Sequence, residues 1–491
     1  HDDTPPSSAG TPAHEQPRGL EEVARAAAKD NAVVVTWANH HYEAFVRSWV
    51  ARLRASGVTN YCVGAMDRAL YDELHAAGEP VFFMGSQKMD EKSVRGDFGW
   101  GSQKFHHMGR DKIRLIRDVL LLGLDVLVSD VDVAWMRDPL PHFRRFPTAD
   151  LLVSTDQLHN TSGLSGSGLL EHHICATASN IGIMWIRATP NATAMASEWV
   201  DAIERDPKVW DQNAFNTLKM RGDTCRSQDR FDGGLMRAYD GRVLMGALPV
   251  VGFSNGHTFF VQRLHERFGE QAYAVHATFQ YSGTEGKRHR MREAGVWEAD
   301  RRGYAEGTFL TYEPTLPAGV DLAQFSALGW PSKDSEHTTL EPDSPALAAH
   351  KRLVEDQLMQ LRDALAVAWL LGRTLVAPPV LCGLDRAWFP HYGRFPGSSL
   401  ALPFVCPLDH VLELTGWMRQ AKRREDGSPP LREHSFRRHP MLTGEERNDT
   451  AVAVLTELPG RKRVGELAGL PEGVGEYLPA AGAAATIDLS A

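Results

Sequence analysis

Short apolar runs alternate with amphipathic segments near the start of the chain, and this alternation constrains the fold more than any other feature. The predicted strands are 32–37, 60–66 and 80–84, and the predicted helices are 41–57 and 67–78. Asp67 is in position to cap the second of these helices. A β-α-β-α-β order predicts a parallel sheet that is covered by helices on both faces.

The same pattern continues through the first half of the chain. Further strands are predicted at 124–130, 150–156, 179–187 and 272–279, and further helices at 109–123, 189–204 and 210–220. We therefore predict an α/β fold with a Rossmann-like, mostly parallel sheet flanked by helices. In such sheets ligands bind beyond the carboxyl ends of the strands.

The composition divides the chain into four parts. Residues 1–30 are rich in Pro, Ser and charge, and we expect them to form a disordered lead-in. The α/β pattern occupies 31–315, and a connector without a strong period follows at 316–345. Residues 346–491 begin with a long amphipathic helix and a strand, so we expect a C-terminal α/β extension that packs on the first domain.

Composition also limits the partners. A formal charge of −9 without any basic block argues against a nucleic-acid partner. No apolar stretch approaches the roughly 18 residues that a membrane span needs, so no transmembrane segment is predicted here. The polar start suits a chain from which an N-terminal anchor has been removed.

None of the five cysteines forms a CxxC pair, which argues against a zinc site. Cys382 and Cys406 are the first pair that we expect to form a disulfide if the protein is lumenal.

Two aspartates, Asp130 and Asp132, follow the apolar run 126–128. Buried charge is costly unless it is paired or bound to a metal, and a strand places residues i and i+2 on the same side. The two carboxylates can hold a divalent cation whose open positions take diphosphate oxygens, which suits Mg²⁺ or Mn²⁺. They can equally be solvated acids at a strand end, and the residues alone leave both interpretations open.

Other polar residues follow predicted strands. Asp211 and Gln212 can hold sugar hydroxyls or face a reacting anomeric carbon, although Asp211 can also cap a helix. Asn180 is either a sugar contact or a turn residue. His276 is either a third metal ligand, which Mn²⁺ tolerates, or a histidine with an ordinary hydrogen bond.

Three residues near the first strands are candidates for nucleotide contacts. Thr36 and Asn39 follow the first strand, where Asn39 can instead start a helix, and Lys112 either reaches phosphate or sugar or is an exposed helix lysine. The sequence has no G-x-S-x-G motif, no Walker loop and no G-x-G-x-x-G after the first strand. Nucleophilic-serine and dinucleotide-binding interpretations are therefore weak.

The order of these motifs resembles glycosyltransferase family 77, the GT-A nucleotide-sugar transferases of plants and green algae. The resemblance is carried by 112–143, 180–190, 210–216 and 275–279, within about residues 30–280. The stretch 353–414 also resembles the extension of one branch, the extensin arabinosyltransferases. This second similarity is what points to a specific activity.

The resemblance implies retaining, metal-dependent transfer of L-arabinofuranose from UDP-β-L-arabinofuranose to an arabinosylated, hydroxyproline-rich cell-wall glycoprotein of the extensin type. It places the enzyme in the Golgi lumen, as a type II membrane protein at full length. One alternative is a sibling transferase that uses UDP-xylose or UDP-galactose on a pectic or other cell-wall glycan. A second alternative is a non-catalytic glycan-binding protein that keeps the transferase fold.

The resemblance also assigns roles to residues of this chain. Asp132 and His276 are expected to ligate Mn²⁺, with Mg²⁺ as the other option, and Asp130 to bridge metal and donor. The resemblance further implies that Asn180, Asp211 and Gln212 contact the donor sugar and that Thr36 and Asn39 contact uridine, and it leaves Asn255 and His257 as candidates for the acceptor. Lys112 stays a candidate for phosphate or sugar from its place on the predicted helix alone. Related sequences tend to have proline before this Asn-Gly pair, where this chain has Ser254.

Overall fold

A computed structural model describes residues 16–85, 96–97, 102–159, 166–170, 178–206, 208–222, 234–328, 340–341, 343–388, 391–395, 397–421, 431–444, 451–455 and 485–490. The order of elements follows the predicted alternation through the first half of the chain.

Eight strands form the central sheet. They are β1 (Ala32–Ala38), β2 (Tyr61–Ala65), β3 (Val81–Phe83), β4 (Asp125–Ser129), β6 (Leu151–Thr155), β7 (Ser179–Ile186), β8 (Met236–Ala238) and β9 (Val243–Ala247). Their order is β3-β2-β1-β4-β7-β6-β9-β8. The strands β3, β2, β1 and β4 are parallel, as are β6 and β9, whereas β7 runs antiparallel to both of its neighbours. The predicted mostly parallel α/β sheet is therefore confirmed.

Helices cover both faces of this sheet. They are α1 (Leu20–Ala27), α2 (Glu43–Ala55), α3 (Arg68–Ala76), α4 (Gln103–Leu121), α5 (Leu140–Phe143), α6 (Pro190–Arg205) and α7 (Asp211–Lys219). Side chains alternate along β1, so that Val33 and Val35 face α1, α4, α6 and α7, while Val34 faces α2, α3 and α5. Asp67 caps α3 as predicted, because its carboxylate accepts a hydrogen bond from the Leu70 N–H at 2.9 Å.

A small second sheet joins distant parts of the chain. It contains β5 (Val133–Trp135), β10 (Phe253–Asn255) and β11 (Ala274–His276), in the order β10-β11-β5. The antiparallel register of β11 and β5 sets His276 opposite Val133, and the Ala277 N–H donates to the Asp132 carbonyl at 3.1 Å. The end of β11 is thereby held beside the residues that follow β4.

Two further helices are α8 (Leu264–Arg267), which lies between β10 and β11 in the chain, and α9 (Gly283–Glu293), which follows β11. Short helical turns occur at His40–Tyr42, His257–Val261 and Arg302–Tyr304. The helix α9 packs its Met291 side chain against Ala134 of β5 and Val275 of β11 in one apolar cluster. Its position is therefore tied to the small sheet.

The C-terminal unit is built on a third sheet, which has five strands and is mixed. Its strands are β12 (Phe309–Tyr312), β13 (Thr374–Val376), β18 (Leu431–Arg432), β19 (Ala451–Leu455) and β20 (Ala485–Ser490), and its order is β18-β13-β12-β20-β19. The other elements are α10 (Ala323–Ser326), α11 (Pro345–Leu370), the pair β14 (Val380–Cys382) and β17 (Phe404–Cys406), the pair β15 (Asp385–Trp388) and β16 (His391–Gly393), α12 (Leu414–Ala421), and the turns Leu408–His410 and Phe436–Arg438. A disulfide joins Cys382 to Cys406, as predicted.

Two predicted boundaries differ from the structure. The expected disordered lead-in, 1–30, contains α1, in which Val23 and Ala24 are buried in the main core. Most of the Pro- and Ser-rich sequence precedes this helix and lies outside the described ranges. Because we judged residues 1–30 by their overall composition, the short apolar face of α1 was not predicted. The strand β12 lies inside the predicted first domain, 31–315, but pairs with β13 of the C-terminal sheet, because a strand belongs where its hydrogen bonds are made.

The predicted connector, 316–345, is also partly built into the fold. It contributes α10, whose Phe325 is fully buried in the apolar cluster of the C-terminal unit. In the ranges described, no helix has both the length and the apolar character to cross a bilayer.

His350 of α11 gives the C-terminal unit a pH-dependent stability. Its Nδ1 accepts hydrogen bonds from the N–H groups of Gly383 and Leu384 at 3.2 and 3.3 Å, and burial lowers its pKa to about 4. The unfolded chain takes up this proton near pH 6.5, so stability from His350 is present above that pH and is lost as pH falls toward 4.

We expect His350→Gln to flatten this dependence. Between about pH 7 and pH 4.5 the wild type should lose about 2 to 3 kcal/mol more unfolding free energy than the variant, as the shift in pKa from 6.5 to about 4 implies. Urea unfolding at both pH values measures the difference. His107→Gln, at an exposed histidine of α4, is the matched control and should keep the wild-type slope. Equal losses in the wild type and His350→Gln would contradict the assignment.

Candidate active site

The three predicted metal ligands lie together at the carboxyl edge of the sheet. Asp130 follows β4, Asp132 precedes β5 and His276 ends β11, and one ligand atom from each lies within 4.8 Å of the others. The His276 Nε2 atom is 3.3 Å from the Asp132 Oδ1 and 3.6 Å from the Asp130 Oδ2. Two carboxylates and an imidazole are a donor set that suits Mn²⁺.

The hydrogen bonds of Asn180 determine which nitrogen of His276 faces the aspartates. Asn180 Oδ1 accepts from the Gly182 N–H at 2.9 Å, and its Nδ2 donates to Asp156 at 2.8 Å, so the amide can have only one orientation. The same Oδ1 lies 3.1 Å from His276 Nδ1, which must therefore donate. In the neutral ring this leaves the lone pair on Nε2, the atom beside the carboxylates, as a metal ligand requires.

Gly182 leaves the space in which the His276 ring sits. A Cβ atom built on Gly182 would lie 2.1 Å from His276 Cε1 and 2.3 Å from its Nδ1. These distances are far shorter than van der Waals contact. Any larger residue at this position must therefore move the imidazole.

Two lysines neutralise the two aspartates. Lys112 of α4 lies 2.6 Å from Asp130 Oδ1, and Lys287 of α9 lies 2.5 Å from Asp132 Oδ2. Burial by itself raises the pKa of Asp132, but the positive charge of the Lys287 ammonium outweighs burial and holds the pKa well below its ordinary value. The two pairs are neutral together, so a divalent cation would leave a charge of +2, which complements a diphosphate.

Asp156, which the sequence analysis missed, connects two predicted donor residues. It follows β6 and accepts hydrogen bonds from Asn180 at 2.8 Å and from Gln212 Nε2 at 3.2 Å. Burial raises its pKa, although the bond from Asn180 opposes this. The available signal was its place as the last residue of a predicted strand, which is also the place of Asp130.

Asp211 is the first residue of α7, after Trp210, so it is not the N-cap. Its Oδ1 accepts from the Gln212 N–H at 2.8 Å. Burial raises the pKa of Asp211, whereas the Lys112 charge lowers it. A Cβ atom on Gly109 would lie 2.7 Å from Asp211 Oδ2, so this glycine gives the carboxylate its space. Lys112 therefore influences both Asp130 and Asp211.

The predicted nucleotide contacts lie at the same edge of the sheet. Val35 pairs with Val128 in the parallel register, so Thr36 and Asn39 lie near the end of β4. Both are fully buried, and the Thr36 hydroxyl has no hydrogen-bond partner among the residues that the structure describes. The Asn39 amide donates to the Gly96 carbonyl at 3.0 Å.

The predicted acceptor contacts have internal roles instead. Asn255 Oδ1 accepts from the N–H groups of His257 and Thr258, and its amide donates to the Gln157 carbonyl. His257 is 2% exposed, and its Nε2 is paired with Asp385 of the C-terminal unit at 2.8 Å. Both side chains are therefore buried and bonded within the protein, and a contact of either with an acceptor stays a prediction.

The chain is similar in sequence to known sugar transferases. Residues 56–291 match the model of a family described as nucleotide-diphospho-sugar transferase. Arabinosyltransferase XEG113 of Arabidopsis thaliana is 40% identical over 443 residues, which are 89% of this chain and 64% of that protein. Residues 56–291 belong to the nucleotide-diphospho-sugar transferase family. The predicted membership of glycosyltransferase family 77 is thereby confirmed.

Other family members match over shorter lengths. Beta-arabinofuranosyltransferase RAY1 of Arabidopsis thaliana is 35% identical over 138 residues, 28% of this chain and 25% of that protein. The chain thus spans less than two thirds of the length of these two relatives. Among solved structures, galactosyltransferase LgtC with donor and acceptor sugar analogs matches with 16% identity and a TM-score of 0.30, over 54% of this chain and 92% of that chain. Mouse xyloside xylosyltransferase 1 matches with 12% identity and a TM-score of 0.28, over 50% and 97%.

Replacing Gly182 should damage the ligand set without removing a ligand. We expect Gly182→Ala to weaken Mn²⁺ binding by roughly 10- to 100-fold, the range that loss of support around a ligand costs, because the new Cβ displaces the His276 ring. Isothermal titration with MnCl₂ measures the affinity. Gly303→Ala is the matched control, since no atom lies within 4 Å of its Cβ position. A folded Gly182→Ala protein with wild-type Mn²⁺ affinity would disprove the arrangement.

Proposed function

We propose that this chain is a retaining, metal-dependent arabinosyltransferase. It transfers L-arabinofuranose from UDP-β-L-arabinofuranose to an arabinosylated, hydroxyproline-rich glycoprotein of the extensin type. The observation that carries the proposal is the cluster of Asp130, Asp132 and His276, flanked by Lys112 and Lys287. The similarity to a relative named as an arabinosyltransferase supports the choice of donor sugar.

The ligand cluster holds Mn²⁺ in preference to Mg²⁺, because Mg²⁺ favours oxygen ligands and His276 supplies nitrogen. When bound, the cation supplies Lewis-acid charge to the leaving diphosphate. Asp132 and His276 would hold the cation, and Asp130 would face the donor. The single orientation of Asn180 supports this arrangement, because it directs the Nε2 lone pair of His276 to the site.

Two lysines bind the diphosphate. Lys112 has 3% of its side chain exposed and also lies 5.0 Å from the centre of the Trp37 ring, so its ammonium is held in one place. Lys287 keeps 27% of its side chain exposed at the mouth of the cluster. Ammonium groups in such a partly desolvated site form strong, charge-assisted hydrogen bonds with phosphate oxygens.

The donor sugar is bound on the other side of the cluster. Asn180 and Gln212 hold its hydroxyls, and Asp156 fixes both amides by accepting their N–H groups. The Asp211 carboxylate lies next to Gln212 and stabilises positive charge that develops on the anomeric carbon as the diphosphate leaves. Thr36 and Asn39 contact the uridine.

The compartment proposed is the Golgi lumen. The Cys382–Cys406 disulfide supports a secretory location, because disulfides persist in oxidising compartments and are rare in the cytosol. The acceptor, a hydroxyproline-rich glycoprotein, passes through the same compartment on its way to the cell wall.

A panel of donors tests the function directly. The purified chain, with Mn²⁺ and an arabinosylated hydroxyproline peptide, should release UDP from UDP-β-L-arabinofuranose at a rate at least about tenfold above that with UDP-xylose or UDP-galactose. Mass spectrometry of the peptide should show one added pentose. Reactions with EDTA or without acceptor are the controls. Turnover with UDP-xylose but not with the arabinofuranose donor would assign the chain to the sibling activity instead.

Removal of one metal ligand tests the mechanism. We expect Asp132→Ala to lower transfer by roughly a thousandfold, because several kcal/mol of charge stabilisation at the leaving group are lost. Mn²⁺-dependent UDP binding should disappear as well, while circular dichroism shows an unchanged fold. Asp201→Ala, at an exposed position of α6, is the control and should retain full activity. Wild-type turnover by the Asp132→Ala enzyme would refute the proposed mechanism.

A further inference from the structure

Helix α9 has one face on the donor site and another on the C-terminal unit. Lys287 points to Asp132, and Arg288 lies over the rings of Phe45 and Trp297. One turn away, the fully buried Arg290 points to Asp409 in the turn Leu408–His410. The helix therefore lies between the two units, and the Lys287 ammonium is on the face that completes the donor site.

Asp409 holds the beginning and the middle of α9 at the same time. Its carboxylate accepts from the Tyr281 N–H at 2.8 Å, ahead of the helix, and from Arg290 Nε at 2.7 and 2.9 Å, within it. The side chains of both Arg290 and Asp409 have 0% exposure. Because the pair is shielded from water, these charge-assisted bonds fix the distance between helix and C-terminal unit.

The first turn of α9 lacks a cap of its own and depends on the C-terminal unit. Ser282 precedes the helix in a left-handed conformation with a φ of 59°, and its side chain makes no cap hydrogen bond. Its hydroxyl instead accepts the Leu414 N–H at 2.8 Å, and its carbonyl accepts the Thr415 hydroxyl at 3.3 Å. Helix starts without caps fray unless tertiary contacts hold them.

Gly286, the residue before Lys287, lies close both to the backbone of Tyr281 and to Asp409 of the C-terminal unit. A Cβ atom at this position would lie 1.7 Å from the Tyr281 carbonyl oxygen and 3.2 Å from Asp409 Oδ2. The backbone of the residue next to Lys287 thus lies against Asp409 itself. A displacement of the Asp409 segment would be passed directly to the Lys287 backbone.

We propose that Asp409 of the C-terminal unit is a positioning residue for the donor site, which acts by holding α9 so that Lys287 reaches the diphosphate. The inference rests on the proposed function for the role of Lys287. It gives the C-terminal unit a part in donor binding, beyond packing on the catalytic domain. Asp409 binds Arg290 and the Tyr281 N–H rather than the ligand cluster, so on this proposal its effect passes through Lys287.

A double-mutant cycle tests this coupling. Lys287→Ala should raise the Kd for UDP in the presence of Mn²⁺ by about tenfold or more, the loss expected for a charged hydrogen bond. Asp409→Asn should give a several-fold rise, and the double variant should bind no more weakly than Lys287→Ala, because the second change acts only through the lost lysine. Isothermal titration gives the Kd values, and thermal unfolding confirms that each variant is folded.

Two further variants keep the test decisive. Asp409→Leu with Arg290→Met removes the buried pair without leaving a charge alone, so it serves if Asp409→Asn does not fold, and it should show the same dependence on Lys287. Asp385→Asn is the matched control, since this buried aspartate also joins the two units but binds His257 rather than α9. Its Kd should equal that of the wild type.

The outcomes separate the two proposals. A wild-type protein that binds no UDP with Mn²⁺ would overturn the proposed function, and this inference with it. If the wild type binds UDP, Lys287→Ala weakens binding and a folded Asp409 variant does not, only the inference is wrong. Additive effects of Lys287→Ala and Asp409→Asn would overturn it as well, because they would show that Asp409 acts by another route.

Discussion

Two carboxylates held side by side at the edge of a buried sheet repel each other, and the arrangement around them is governed by the need for compensation. Asp130 is neutralised by Lys112 from α4, and Asp132 by Lys287 from α9. The two lysines come from different helices, so α4, α9, the central sheet and the small sheet must meet at one point. The pairs balance without leaving an excess of either charge, and a divalent cation with a diphosphate preserves that balance.

The support behind the ligands is provided mainly by β7. This strand supplies Asn180, which fixes the tautomer of His276, and Gly182, which gives the ring its space. Its antiparallel direction places its first residues, rather than its last, at the edge where β4 and β6 end. Asp130, Asp156 and Asn180 thus come together from strands of opposite direction, and this is why one reversed strand in a parallel sheet serves the site.

Sequence periodicity predicted strands β1 to β4, β6 and β7 of the central sheet, but neither β8 nor β9. It also placed Asp130 and Asp132 at a strand end, because such features depend on residues near one another in the chain, but it left the role of the two aspartates open. His276 required the resemblance, since only the pairing of β11 with β5 brings it to Asp132. Lys287 was not predicted, because the sequence of α9 is polar and typical of a surface helix. The position of the Lys287 side chain beside Asp132 depends on contacts that α9 makes with both units. The buried pair of His257 and Asp385 could not be predicted for a related reason, because burial and long-range partners are properties of the tertiary structure alone.

Strand pairing and a buried ion pair both cross the predicted boundary between a catalytic domain and an appended unit. β12 lies in the predicted first domain but pairs with β13 of the C-terminal sheet. In the other direction, Asp409 of the C-terminal unit forms a buried ion pair with Arg290 of α9. A chain that ends near residue 340 would therefore lose the partners of β12 and leave Arg290 as an unpaired buried cation. Unpaired buried charge is among the costliest defects in a folded protein, so α9 would move or unfold, and Lys287 with it. On the proposed function, the physical unit that binds the donor therefore includes the C-terminal sheet as well as the central sheet.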